Sequence, residues 1–147
     1  MQQYQWLLFD ADFAYTHARF SHPDENGETG SDIPNAVPRV ASIGLTAHDL
    51  AAWSGSLKLR YIGKYPLSQD GTLMGPSSTV TDLRLARSIN ADLTLSLDVL
   101  NLFDRRYYDI AYQQDYRVLP TSAPVPSGIT VHPGEPREFR VTMMVGL

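Results

Sequence analysis

Apolar side chains fall on every second position in six separate stretches of the chain, residues 7–15, 40–48, 57–61, 81–87, 93–99 and 139–147. A period of two marks a β-strand, in which successive side chains point to opposite faces. In all six stretches the odd-numbered positions are apolar: Leu7, Phe9, Phe13 and Tyr15; Ala41, Ile43 and Leu45; Leu57, Leu59 and Tyr61; Leu83 and Leu85; Leu93, Leu95, Leu97 and Val99; Phe139, Val141, Met143, Val145 and Leu147. Charges take the even positions: Asp10, Asp12, Lys58, Arg60, Asp82, Arg84, Asp98 and Arg140. The exceptions are Arg87, an odd-numbered charge beside a turn, and the even-numbered apolar residues Leu8, Val40 and Met144. Helical patterning is nearly absent, and "AHDLAAW", residues 47–53, has length for one turn only.

Alternation alone fits a soluble β-sandwich, with the apolar face as core and the charged face in water. The connections favour another architecture. They alternate between long ("THARFSHPDENGETGSDIPNAVPR", "GKYPLSQDGTLMGPSS" and "DRRYYDIAYQQDYRVLPTSAPVPSGITVHPGEPR") and short (around "DLAA" and "INAD"). Transmembrane β-barrels show this asymmetry, with short turns at one end and long loops at the other. Trp6 and Trp53 fall at the short-turn ends of their strands, while Tyr15, Tyr61, Phe103, Tyr107 and Tyr108 fall at or just past the long-loop ends, matching two aromatic girdles. The chain closes on an amphipathic segment, "FRVTMMVGL", which in a barrel can pair with the first strand and leave no open edge.

The pattern therefore predicts an all-β fold, an antiparallel up-and-down transmembrane β-barrel fragment. Its lipid face carries Leu57, Leu59, Leu83, Leu85, Leu93, Leu95, Leu97 and Val99; its wet lumen face carries Lys58, Arg60, Asp82, Arg84, Asp98 and Arg140. The alternative is a soluble β-sandwich or open-sheet ligand-binding module. Register is also open to argument, because a loop made of Asn90, Ala91 and Asp92 sets Arg84 opposite Asp98. A five-residue loop instead sets two aspartates, Asp82 and Asp98, against each other. We therefore expect the first arrangement. Leu100 and Leu102 fit less well, since continued alternation turns both inward, which implies contact with material in the lumen or a bulge.

Composition narrows the function classes. The net charge is −4 and the 12 basic residues are scattered, which argues against a nucleic-acid partner. Cysteine is absent, removing disulfides, thiolate metal sites and thiol nucleophiles. No apolar run approaches the roughly 20 residues of a helical span. The N-terminal "MQQYQWLLFDADFAY" lacks the basic start of a signal peptide, so the signal of an exported protein is expected upstream of Met1. Catalytic motifs such as G-x-S-x-G, a P-loop or H-E-x-x-H are missing, and no enzyme activity or cofactor is expected. The best metal candidate is the first long connection, where His17 and His22 precede the oxygen ligands Asp24, Asn26, Glu28 and Asp32; without EF-hand spacing or flanking helices, it reads as a solvated loop. His48 and His132 have no evident partner. Tyr107, Tyr108, Tyr112 and Tyr116 form an aromatic cluster suited to ligand contact in a loop, or to a girdle with ordinary loop packing.

With these residues assembled, the chain resembles the C-terminal end of a TonB-dependent outer-membrane receptor. The stretches that carry the resemblance are "IPNAVPRVASIGLTA", "GSLKLRYIGKYPL", "STVTDLRLARSIN", "LTLSLDVLNLFDRRYYD" and "HPGEPREFRVTMMVGL". The resemblance implies an active importer in the bacterial outer membrane. Its barrel of about 22 strands is plugged by an N-terminal domain that contacts TonB, and it takes up scarce nutrients such as ferric siderophores. The plug and earlier strands then lie outside this chain, TonB is reached only through the plug, and the piece by itself transports nothing. It further implies contact with outer-membrane lipid and with the barrel-assembly machinery, the latter through Phe139, Val141, Met143, Val145 and Leu147. The last residue departs from the pattern, since such receptors usually end on an aromatic.

Overall fold

A computed structural model describes residues 6–21, 30–117, 119–120, 123 and 125–146. Its strands are β1 (Leu7–Tyr15), β2 (Arg39–Leu50), β3 (Trp53–Ile62), β4 (Tyr65–Pro66), β5 (Met74–Gly75), β6 (Ser78–Ser88), β7 (Leu93–Leu100), β8 (Tyr108–Tyr116), β9 (Val125–Pro133) and β10 (Glu138–Val145). The main sheet has six strands in the order β1-β2-β3-β6-β7-β10, and every neighbouring pair is antiparallel. This is an up-and-down meander, interrupted only by the small hairpins β4–β5 and β8–β9 inside two of the long connections.

Each stretch of alternating sequence is a strand of the main sheet, and several run longer than the apolar alternation alone marks. β3 begins at Trp53 because Ser54, Gly55 and Ser56 continue the pairing opposite β6, although they carry no apolar signal. The single helical turn that residues 47–53 have length for does not form. β2 continues to Leu50, and Ala51 and Ala52 (φ +51° and +72°) make a two-residue hairpin into Trp53. Two successive positive φ values give a type I′ turn, whose twist matches that of the flanking strands. The other short link is the expected three-residue loop: the Ile89 amide bonds the Leu93 carbonyl at 2.8 Å, and Asn90 Oδ1 accepts the Asp92 amide at 3.0 Å.

A second departure concerns the long connections. Much of the third is a β-ribbon, β8–β9, with register shifts between Tyr108 and Ile110 and between Gln114 and Tyr116. The three long connections pack together at one end of the sheet. There Tyr65, Leu67 and Ala111 are buried, with Val37 and Leu73 against them, so each connection contributes to one small core. Backbone bonds from Asn35 to Pro66 (2.8 Å) and from Asp32 to Gln69 (3.0 Å) join the first two connections.

Candidate functional site

The chemistry of this chain lies in the contrast between the two faces of its main sheet. Directly opposed residues of an antiparallel pair share a face, so the register defines rows across all six strands. One odd-numbered row reads Phe9, Leu45, Leu57, Leu83, Val99, Phe139; the next reads Leu7, Ala47, Gly55, Leu85, Leu97, Val141. Neither contains a polar side chain. Among the described residues no second layer covers this face, and Phe13 is 70%, Phe139 65% and Val141 75% exposed. A soluble sandwich buries such a surface under a second sheet, and an uncovered apolar face of this extent marks contact with another apolar phase.

The even-numbered face is polar and internally paired. Arg84 stands opposite Asp98, its Nε 3.6 Å from Oδ1. Arg140 lies opposite Asp98 on the other side, but its guanidinium pairs with Glu138 at 3.2 Å. Asp82 is opposite Lys58 yet takes Arg60 diagonally, at 3.2 Å. Its other carboxylate oxygen accepts the Asn101 amide at 3.0 Å. Toward the long-connection end, the Ser42 hydroxyl donates to Asp12 at 3.2 Å. At the opposite end of the sheet, the odd-numbered charge Arg87 lies over the Trp53 ring, 5.2 Å from its centroid. That contact explains how a guanidinium sits on the apolar face, since cation–π contact with the ring offsets part of its lost hydration.

Asn101 closes the β7 end and is the residue whose role sequence patterning misses. It is 2% exposed with φ +49°. Its side-chain nitrogen donates to the carbonyls of Arg105 (2.9 Å) and Glu135 (3.0 Å), and its Oδ1 accepts the Arg105 amide (2.9 Å). Asp104, with φ +51°, accepts the Arg137 amide at 3.2 Å. The stretch "NLFD" thus ties the start of the third connection to its return. Leu102 is in this turn and not on the strand, its amide bonding the Thr81 carbonyl at 2.7 Å. Only Leu100 keeps the inward position that alternation predicts, opposite Glu138.

The tyrosine cluster divides. Tyr107 and Tyr108 line a cleft of about 570 Å³ together with Arg105, Arg106 and the return segment around Gly134 and Glu135. Tyr107 lies where a Cβ on Gly134 would stand, so only glycine admits the ring there. Tyr112 and Tyr116 sit further along β8, outside that cleft; Tyr116 packs against Gly128 in the same way. Of the candidate metal loop, His22, Asp24, Asn26 and Glu28 lie outside the described residues, as does Leu147; Asp32 pairs with Arg19 at 3.6 Å. His132 is in β9 opposite Ile110, and the His48 amide bonds the Trp6 carbonyl at 2.8 Å.

This two-faced meander has relatives. Residues 2–102 match the family model described as "TonB dependent receptor-like, beta-barrel". The chain is 33% identical over 98 residues to the catecholate siderophore receptor Fiu of Escherichia coli K12, covering 64% of this chain and 11% of the relative. It is 27% identical over 136 residues to the metal-pseudopaline receptor CntO of Pseudomonas aeruginosa, covering 89% and 17%. In fold it superposes on the closed form of Fiu with a TM-score of 0.73 at 22% identity, covering 95% of this chain and 19% of that one. On the siderophore receptor PiuA of Acinetobacter baumannii it gives 0.67 at 18% identity, covering 96% and 19%. The chain therefore spans less than a fifth of the length of these relatives. Its apolar rows on one face, paired polar rows on the other and one-sided long loops belong to a portion of a bacterial outer-membrane barrel, and the chain is a member of the TonB-dependent receptor family.

Proposed function

We propose that this chain forms the C-terminal part of the barrel of a TonB-dependent importer of metal–chelator complexes, siderophores in particular. The observation that carries the reading is the register. Six strands present unbroken apolar rows on one side and ion-paired polar rows on the other, as a wall between lipid and a wet lumen requires. On this reading the odd face, including Leu57, Leu59, Leu83, Leu85, Leu93, Leu95, Leu97 and Val99, meets hydrocarbon. The even face, with Lys58, Arg60, Asp82, Arg84, Asp98 and Arg140, meets the lumen, and the long connections lie outside the cell. Phe139, Val141, Met143, Val145 and Leu147 form the strand read by the barrel-assembly machinery. TonB is reached through a plug supplied elsewhere in the receptor.

The substrate class rests on the relatives, whose names place them as receptors for catecholate siderophores and for metal-pseudopaline. A polyanionic metal chelate suits the cleft beside Tyr107 and Tyr108, where aromatic faces stand next to Arg105 and Arg106. The test is uptake of radiolabelled iron, presented as a ferric catecholate, by iron-starved cells with and without the full-length receptor. We expect receptor-dependent uptake that stops when TonB is deleted. Uptake indifferent to the receptor across catecholate and carboxylate metal chelates would refute the assignment.

A further inference from the structure

We propose that the short-turn end of the apolar face binds one glycerophospholipid of the periplasmic leaflet, with an acyl chain in a hollow over Ala47 and Gly55 and the phosphate on Arg87. The inference goes beyond the transport reading and rests on one part of it, that the odd-numbered face meets lipid. A hollow of about 270 Å³ lies on this face, at the opposite end of the sheet from the long connections. Its cause is a gap in side-chain volume. In the row Leu7, Ala47, Gly55, Leu85, Leu97, Val141 four members are leucine or valine, and the two smallest stand directly opposite each other. Leu45 and Leu57 bound the hollow toward the long connections, and Trp53 bounds it toward the short turns. Leu85 closes one flank, its Cδ2 3.2 Å from where a Cβ on Gly55 would stand. No acidic residue lines the hollow.

Arg87 supplies the charge that complements such an occupant. It is opposite Trp53 and one step along the same face of β6 from Leu85, so it stands at the mouth of the hollow. On the even face Arg60, Arg84 and Arg140 each hold a carboxylate. Among the described residues Arg87 holds none, and only the Trp53 ring, 5.2 Å away, answers its charge. A guanidinium lying over a ring keeps its forked N–H donors for other groups, and these match the paired oxygens of a phosphate. The Trp53 indole, an apolar body with one N–H donor, suits the level of the glycerol esters between headgroup and chain. Spacing separates this ligand from a free anion. The pair Trp53–Arg87 and the pair Leu57–Leu83 are four residues apart along their strands, about 13 Å, and only Gly55 and Leu85 lie between them on this face. A small anion uses the guanidinium and leaves that apolar stretch bare, whereas a phosphate joined to an acyl chain covers both. With the long connections outside the cell, the short-turn end lies at the periplasmic leaflet. The lining belongs to β2, β3 and β6, each with neighbours on both sides, so strands beyond β1 or β10 do not alter it.

Full-length receptor, stripped of lipid in detergent, is titrated with dioleoyl phosphatidylglycerol, and bound lipid is counted by native mass spectrometry. We expect a tightly held lipid whose dissociation constant rises at least about tenfold in Arg87→Gln. It should rise as far in Ala47→Leu, which fills the hollow and keeps the face apolar. Binding should hold in Arg84→Gln on the other face and recover in part in Arg87→Lys. Equal binding by the wild type and both variants overturns the proposal. So does displacement of the lipid from the wild type by equimolar glycerol phosphate, which assigns a free-anion site, or equal binding of dioleoylglycerol, which assigns a site for chains alone; neither needs a variant. Receptor dimers that Ala47→Leu breaks, with no lipid bound, give the hollow to a second copy and overturn it as well. Spin labels at positions 97 and 98 report the underlying reading. An oxygen-accessible position 97 with equal lipid binding by the wild type and both variants refutes this inference alone, whereas a water-accessible position 97 removes the lipid face and the inference with it.

Discussion

Asn101 concentrates the residue-scale argument, because one buried side chain satisfies three backbone groups that the turn after β7 leaves without partners. Its left-handed backbone explains the choice of residue, since asparagine tolerates that region better than other side chains of its size. Asn101→Ala leaves two carbonyls and an amide unpaired at a site 2% exposed. We expect a loss of about 3 kcal/mol in urea titrations of the lipid-embedded receptor; a loss below about 0.5 kcal/mol would show that water replaces the side chain. The Ala51–Ala52 hairpin gives the opposite sign. Both alanines hold positive φ in a turn type that favours Asn-Gly, so Ala51→Asn/Ala52→Gly should stabilise the receptor by about 1 kcal/mol in the same titration. The alternating pattern does not reveal the role of Asn101, whereas the short link around "DLAA" marks the place of the Ala51–Ala52 hairpin but not its turn type. Alternation reports which face a residue occupies, and it carries no information on a side chain that turns back to the main chain. The misfit of Leu102 with its face was the one available signal that the strand had already ended.

At the scale of elements, the six sheet strands were legible because each has one apolar and one polar face, so burial and exposure print a period of two. β8–β9 was not, for identifiable reasons. The shifts at Tyr108/Ile110 and Gln114/Tyr116 break the period, β9 contains Pro126 and Pro133, and polar Gln113 and Gln114 follow one another in β8. The ribbon is held by its partner strand and by Ala111 in the small loop core, contacts no local pattern encodes. The hairpin β4–β5 was hidden similarly, its turn being organised by Asp70. That carboxylate accepts the Ser68 hydroxyl and, at 2.8 Å and 3.0 Å, the Thr72 hydroxyl and amide. These bonds, that from Ser68 foremost, hold the Asp70 carboxyl below its ordinary value of 3.8. A depressed carboxylate contributes stability that is present above its unfolded value and is lost as pH falls through the folded one. The turn should therefore stay closed at pH 4 and loosen only below the ordinary carboxylate range. Nicking of the receptor at residues 67–73 by pepsin measures this: we expect cleavage to rise steeply only below pH 3.8 in the wild type, and Asp70→Asn to be cut already at pH 4.

For the whole molecule, the decisive feature is that most large apolar side chains of the described sheet's odd-numbered face are exposed, while the small clustered core lies among the long connections. A soluble protein with this surface would aggregate, whereas a membrane wall needs nothing more, because lipid on one side and lumen on the other replace a second layer. β1 and β10 are moreover the edges of the sheet, each carrying a row of unpaired backbone groups that a barrel must close against further strands. Adjacent residues in the middle of β7 test the consequence, since Leu97 and Asp98 differ by one position and, on the proposed reading, by the solvent they meet. Leu97 belongs to a wholly apolar six-strand row, and Asp98 faces Arg84 on one side and Arg140 on the other. Leu97→Arg places a charge in hydrocarbon and should cost roughly 2 to 4 kcal/mol near the bilayer midplane. Asp98→Asn removes one partner of an ion pair whose arginine is largely solvated, and should cost less than about 1 kcal/mol. Both are read from folding titrations of the full receptor in lipid vesicles. Repeating them in vesicles of thinner bilayers separates membrane effects from packing: the Leu97→Arg penalty should shrink as the apolar slab narrows, and the Asp98→Asn penalty should not change. Equal penalties, or a Leu97→Arg cost indifferent to bilayer thickness, would mean that protein and not lipid covers the odd-numbered face.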